Sequence, residues 1–391
     1  LTATMLSDGM PINYVSDSIT LSRLCAKWQQ EPCLAIDTEF ERTNTFYARL
    51  GLLQIADRDA CYIIDPLQIE DWQAFVELLT NPDCMLVLHS CSEDLNLIQT
   101  FFDCLPVSIF DTQIAAAFLD IGFSTSYQSL VEILLGIEVA KDETRSDWIK
   151  RPLSDKQVLY AATDVRYLLQ IRELLDNQIE QKGMSAWFRA ECEQQLIVAK
   201  AVEDYSQWQN LYAGISNAWR LNKTGLQALR LLCVWREQKA RQRNKPRSWI
   251  VKDNDLLNLC SVTGRFLCEG VLTMDMLINA EGVDQRFLQR NARELLTLLT
   301  EQTNMQEVDF SLLKKPLSAP LRKKLKNCQQ VAKEKAKELE ISPELLGRKR
   351  HLLELVRSVE RNGQLQWLGE LSGWRRQLLE PEISKVFSAT D

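Results

Sequence analysis

The 391-residue sequence predicts an α/β domain with a mixed sheet flanked by helices, followed by an all-α region of two related modules. Three observations predict this fold class. Up to about Gln181, short apolar runs alternate with helix-like segments, the pattern of a sheet covered by helices. Two of those runs, LGLLQIAD and ACYIID, are joined by only a few residues including Arg58 and Asp59. They should form an antiparallel hairpin, which makes the sheet mixed rather than wholly parallel. Beyond Ala201 the strand pattern stops, and helices with short polar connections take over.

In order, the predicted strands are INYV, CLAIDTEF, LGLLQIAD, ACYIID and MLVLHS. Helices are expected after Ser18, Asp71, Glu93, Asp111, Ser126 and Ser154. In the helical part, a shift of 96 residues lays QKAR (Gln238 to Arg241) over EKAK (Glu334 to Lys337). The same shift lays LLNL (Leu256 to Leu259) over LLEL (Leu352 to Leu355) without a gap. Two related modules follow from this, with chance matching among Lys-, Ala- and Leu-rich helices as the other explanation. KKPLSAP, Lys314 to Pro320, reads as the linker between them.

The length calls for two or three domains, and 46% hydrophobic residues is the content of soluble globular protein. The eleven cysteines are odd in number and never spaced C-x-x-C, which argues against a disulfide framework and a zinc site. A reducing cytosol fits that usage. No apolar segment approaches the roughly 18 residues of a membrane span, and no basic stretch precedes an apolar one at the N-terminus. The expected location is cytoplasmic, with no membrane partner. The net charge of −7 hides a division: residues 1–200 hold 15 Lys and Arg against 30 Asp and Glu, the remainder 31 against 23. An acidic part is joined to a basic one. A basic block is either a solvated helical surface or, beside an acid-lined site, a means of capturing a polyanion.

The acids carry the chemistry. On a strand, Asp37 and Glu39 project to one face while Thr38 points away. Paired carboxylates repel unless cations sit between them, and oxygen ligands suit Mg²⁺ or Mn²⁺. A solvated strand end is the plainer explanation for these two alone. A second element, LYAATDVRYLL, lies on the helix begun by Ser154, where Tyr160 and Asp164 share a face. An acid facing inward there, with Leu159, Val165 and Leu168 around it, needs a partner: a cation, or a backbone amine or Arg. A third, HSCSEDLNLI, runs from a strand into a helix whose first turn holds Glu93 and Asp94. Complementing the helix dipole is the alternative role for both. Asp111 in FDTQ reads as a helix cap.

These residues resemble a known family. Asp37-Thr38-Glu39, Ser92-Glu93-Asp94, and Tyr160 followed by Asp164 look like the three exonuclease motifs of the DEDD superfamily, tyrosine branch. The histidine branch would have His at position 159, where this chain has Leu. RLGLLQIAD, IIDPL and ETRSDWIKRPLSDKQVLYAATDVRYLL look like ribonuclease D, and the helical region resembles two HRDC modules. The resemblance implies a ribonuclease H-like exonuclease domain at 1–200 and HRDC-like domains at 210–300 and 312–391. It implies that Asp37, Glu39, Asp94 and Asp164 hold two divalent ions, Mg²⁺ or Mn²⁺, with Asp37 bridging. Tyr160, whose phenol is a poor base at neutral pH, would orient the attacking water.

The implied activity is a 3′-to-5′ exoribonuclease that releases nucleoside 5′-monophosphates. Its partner would be RNA with a free single-stranded 3′ end, such as a tRNA precursor, with no obligate protein partner evident. Phe40 is the candidate wedge for the terminal nucleotide, or a core residue. Arg145, Trp148 and Arg151 would hold the approaching strand, or cap and pack the following helix. His89 reads as a structural residue at a strand end, with contact to a phosphate as the alternative. The basic residues Arg236, Lys239, Arg241, Arg243, Lys245 and Arg247, and the Lys-rich stretch from Arg322 to Lys337, would contact phosphates or form solvated faces. A DNA exonuclease of the same fold, and an RNA-binding protein with an inactive nuclease domain, are the rival readings; the second would lack an acid, and here all four are present.

Overall fold

The structure, a computed structural model, describes residues 4–139, 146–301 and 307–388. The chain forms two compact units: one of residues up to Glu41, Arg49–Lys200 and Ser318 onward, the other of Arg42–Ala48 and Ala201–Leu317. The boundary at Leu317 falls inside the predicted linker. None of the described helices is long and apolar enough to cross a membrane.

The first unit is built on a seven-stranded sheet ordered β1-β2-β5-β4-β3-β6-β7. Its strands are β1 (Thr4–Met5), β2 (Pro11–Val15), β3 (Cys33–Glu41), β4 (Arg49–Ala56), β5 (Cys61–Ile64), β6 (Met85–Leu88) and β7 (Ile109–Asp111). All five predicted strands are present, and β4–β5 is the expected antiparallel hairpin in a mixed sheet. Strands β1 and β7 have two and three residues, too short to show a period in the sequence.

Helices α1 (Ser18–Trp28), α2 (Gln73–Leu79), α3 (Ser92–Phe102), α4 (Thr112–Phe118), α5 (Tyr127–Leu135), α6 (Asp155–Arg166), α7 (Leu168–Gln181) and α8 (Ser185–Ala201) complete the α/β part. The alternation of β3 sorts the two layers. Ala35, Asp37 and Glu39 face the side of α6, where the Cys61 thiol meets the Ala162 carbonyl at 3.4 Å. Ile36 and Thr38 face the side of α1 and α3, where Trp28 meets Tyr62 edge-on at 5.0 Å. Helix α6 approaches closely because Ala161 and Ala162 form its inner face with Val165. Leu159, expected to face inward, is 43% exposed, since that face belongs to the alanines.

The helical parts repeat one plan. Helices α9 (Tyr205–Trp208), α10 (Lys223–Gln242), α11 (Arg247–Ile250), α12 (Asp253–Cys268), α13 (Met274–Ile278) and α14 (Gln285–Thr300) belong to the second unit. Helices α15 (Ala319–Leu339), α16 (Pro343–Gly347), α17 (Lys349–Asn362) and α18 (Trp374–Ser388) belong to the first. The pairs α10/α15, α11/α16 and α12/α17 all start at the 96-residue offset. Ala240 and Ala336, Leu256 and Leu352, and Leu259 and Leu355 are buried equivalents, each at most 2% exposed. Chance does not align three helix starts and their core positions, so the repeat is structural.

The three segments expected from the sequence thus pack as two units, because α15–α18 close against the α/β part. Trp374 stacks on Trp187 at 5.1 Å and donates its indole N–H to Glu191. Arg375, also buried, binds both Glu191 oxygens at 2.5 Å. Ser342 donates its backbone N–H to the Ala117 carbonyl, and the Arg348 guanidinium lies 4.6 Å over Phe123.

Candidate metal centre

Strand β3 pairs with β4 as far as Glu41, but with β6 only through Cys33–Ala35. Asp37 and Glu39 therefore project from a strand that outruns its neighbour on one side. A register shift between Glu39 and Phe40 ends the regular pairing just past the acids. From above, α6 delivers Asp164. Ser154 and Gln157 form a capping box that fixes the start of α6. Its far end is held by Tyr127, whose buried hydroxyl donates to the Thr163 carbonyl at 2.7 Å and accepts from the Tyr167 N–H at 3.2 Å.

Carboxylate oxygens of Asp37, Glu39 and Asp164 all lie within 4.8 Å of one another. Asp94 arrives from the opposite layer on α3. The Thr38 hydroxyl donates to its carboxylate, so Thr38 is more than a spacer between two acids. Glu93 is exposed and Asp94 buried, which separates two neighbours that the sequence left equivalent. Asp111 caps α4 as expected, with Gln113 and Ile114 N–H groups on its carboxylate. It also accepts from the N–H groups of Ser90 and Cys91 at 3.1 and 2.8 Å, bracing the turn that leads into Asp94.

Burial without a counter-charge dominates the electrostatics. Burial, then the nearby Asp164, pushes the Asp37 carboxyl up to about 8. Burial with Asp37, Asp164 and Asp94 pushes Glu39 up to about 10. Asp164 rises to about 7 through burial, against a lowering contribution from Tyr160. Burial and Asp37 also raise Asp94, against the Thr38 hydrogen bond. Tyr160 is raised by burial and by Asp164, so its phenol keeps its proton at neutral pH. Four acids that resist ionisation together are what a cation would release. The donors are all hard oxygens, with no sulfur or imidazole among the clustered groups, which fits Mg²⁺ or Mn²⁺.

The other predicted contacts fare differently. The guanidinium of Arg151, read as a strand contact or as a cap and packing residue, is fully engaged within the protein. It binds both Asp65 oxygens at 2.7 Å, the Gly51 carbonyl at 2.7 Å and the Trp148 carbonyl at 2.8 Å. Trp148, 3% exposed, packs instead of meeting a strand; its Cβ stands where a side chain at Gly51 would, and its ring lies 6.0 Å from that of Tyr160. Phe40 is half-buried after the register shift. Arg145 lies outside the described residues. His89 is structural, its two ring nitrogens at 2.9 Å from the Thr112 hydroxyl and 3.1 Å from the Thr125 carbonyl.

Four residues of the first basic block are paired with acids. Arg236 pairs with Asp253, Lys239 with Glu294, and Arg241 and Arg247 with Glu237. Arg241 lies 4.3 Å over Trp208 and 4.7 Å over Phe46, within the second unit. Asn244 adds its carbonyl oxygen, which accepts from the N–H groups of Phe46 and Tyr47 at 3.0 Å each. These four side chains hold protein: Glu237 lies within the same basic stretch, while Asp253 and Glu294 come from further along the chain.

Residues 12–180 match the 3′-5′ exonuclease family. Ribonuclease D of Pseudomonas paraeruginosa is 35% identical over 94% of this chain and 95% of its own length. Ribonuclease D of Escherichia coli K12 is 32% identical over 96% and 98%. The crystal structure of Escherichia coli RNase D, described as an exoribonuclease involved in structured RNA processing, superposes with a TM-score of 0.81 at 30% identity. It covers 97% of this chain and 99% of that one. The catalytic core of RRP6 from Trypanosoma brucei, 21% identical with a TM-score of 0.51 over 77% of this chain and 82% of its own, shares the fold. The chain belongs to the ribonuclease D family of 3′-5′ exoribonucleases.

Proposed function

We propose that the chain uses two divalent cations, Mg²⁺ or Mn²⁺, held by Asp37, Glu39, Asp94 and Asp164, to trim the 3′ ends of tRNA precursors and other small structured RNAs. The observation that carries this reading is the convergence of three half-buried carboxyls within 4.8 Å, each with its ionisation opposed. Bound there, the cations would supply positive charge at the scissile phosphate and an acidified water. Asp37 and Glu39 offer oxygens from a rigid strand, Asp164 from a capped helix, and Thr38 fixes the rotamer of Asp94. Tyr160, protonated at neutral pH, orients the attacking water through its hydroxyl and is not its base. Water oxygen adds to the terminal phosphorus, the bond from phosphorus to the 3′-oxygen breaks, and that oxygen takes the proton. The products are a nucleoside 5′-monophosphate and an RNA shortened by one residue with a 3′-hydroxyl.

Phe40, half-buried beside Glu39, is the side chain offered to the terminal base. Segments 210–300 and 312–391 are, on this reading, HRDC-like modules that add affinity for phosphates through residues still exposed, such as Arg243 and Lys245 in one and Lys326 and Lys333 in the other. The test is a 5′-labelled tRNA with extra 3′ residues, run beside a matched DNA strand, with protein and Mg²⁺ or Mn²⁺. Stepwise shortening of the RNA, abolished by chelator and by Asp37→Ala, is expected. Internal cuts, or DNA degraded faster than RNA, would overturn the proposal.

A further inference from the structure

Gln54 is a polar residue where the fold asks for an apolar one. Its strand neighbours Leu52, Leu53, Ile55 and Ala56 are all buried, and Gln54 itself is 0% exposed. Neither its Oε1 nor its Nε2 has a hydrogen-bond partner. Buried amides in native proteins are satisfied, so an orphaned one needs an explanation. Leu or Met would fill the same space without that cost.

The register supplies the explanation. Gln54 stands directly opposite Asp37 across the antiparallel β3–β4 pair. Directly opposed residues point to the same face, with Cβ atoms about 4.5–5.5 Å apart. That face is the one closed by α6, which brings Tyr160 and Asp164. Along the same face, Glu39 is opposed by Leu52 and Ala35 by Ala56, neither of which can hydrogen-bond through its side chain. On β4, then, the side chain facing the acids that can donate is Gln54.

We infer that Gln54 is a positioning residue of the candidate metal centre, its side-chain amide N–H donating to the Asp37 carboxylate when that carboxylate holds a cation. The inference rests on the reading of Asp37 as a cation ligand. Groups that hydrogen-bond a ligating carboxylate fix its orientation, and their loss lowers metal affinity about 10–100-fold.

The test is calorimetric titration of the full chain with Mn²⁺, comparing wild type with Gln54→Met, Gln54→Leu and Asp37→Ala, and melting curves of each in EDTA. Gln54→Met should bind Mn²⁺ at least about tenfold more weakly. In EDTA it should melt at the same temperature or higher, because an unsatisfied buried amide has been removed. Gln54→Leu should behave alike, and serves should the methionine variant fail to fold. Mn²⁺ affinity within about twofold of wild type in a folded Gln54 variant would reduce the residue to core packing and overturn the inference. Equal binding by wild type and Asp37→Ala would instead remove the metal centre itself, and the inference with it.

Discussion

The two helical modules share three helices at one offset, yet their polar side chains do different work. In the module of α10–α14, basic residues bind acids of their own unit, and Arg241 lies over the rings of Trp208 and Phe46. In the module of α15–α18, Trp374 and Arg375 converge on Glu191 of α8, which belongs to the α/β part. One copy keeps its strongest polar contacts within its own helices and the β3–β4 loop; the other uses them to close a larger core. A duplicated helical plan is therefore no guide to a duplicated role, since a few substitutions decide what each copy is fastened to.

The comparison can be broken most severely by removing the second module. Deletion from Ser318 onward exposes the α/β surface that carries Trp187 and Glu191, and should lower the melting temperature of the remainder by more than about 10 °C. An unchanged melt would show α15–α18 to be accessory. Glu191→Ala should be next in size, because it leaves Arg375 buried and without its carboxylate, a loss of about 3–5 kcal/mol in denaturant unfolding. Arg241→Ala acts in the other module, where cation–π stacking and charged hydrogen bonds are lost together; about 2 kcal/mol is expected, with no change in the Trp187–Trp374 contact. Smallest is Lys326→Ala with Lys333→Ala, both exposed, which should move stability by under about 0.5 kcal/mol. If these two lysines contact phosphate, RNA binding should become less salt-dependent, by a log-log slope of about 0.7 per contact.

Local sequence gave away the α/β part because its signals are local. The D-x-E on β3, the Tyr160/Asp164 spacing on α6 and the cap at Ser154 each lie within one element, so a period or a motif reveals them. The docking of α18 on α8 was hidden because Glu191 and Arg375 are 184 positions apart and neither residue type announces a partner. The same holds for the Arg241 cluster, where Phe46 comes from a loop early in the chain. Asp111 was legible as a cap but not as a brace for Ser90 and Cys91, which depends on β7, a strand too short to read. Thr38 and Gln54 required the register: one donates across a layer to Asp94, the other faces Asp37 across a strand pair.

The acids themselves make the centre testable without any substrate. Asp37 titrating near 8 and Asp164 near 7 in the folded chain, each raised from the ordinary carboxyl range, keep protons that the unfolded chain gives up near pH 4. Above about pH 4 the native state then binds more protons than the unfolded one, so these groups make stability fall as pH rises toward 7 to 8. A bound cation removes that penalty by stabilising the charged forms. The most direct test is thermal unfolding in EDTA and in Mn²⁺ at about pH 5.5 and about pH 7.5, for wild type and Asp37→Asn. Wild type in EDTA should be less favoured at the higher pH relative to Asp37→Asn, and Mn²⁺ should stabilise wild type more at the higher pH and Asp37→Asn little at either. Stabilisation by Mn²⁺ that is equal in the two proteins, or absent from wild type, would contradict the assignment of these carboxyls to a cation.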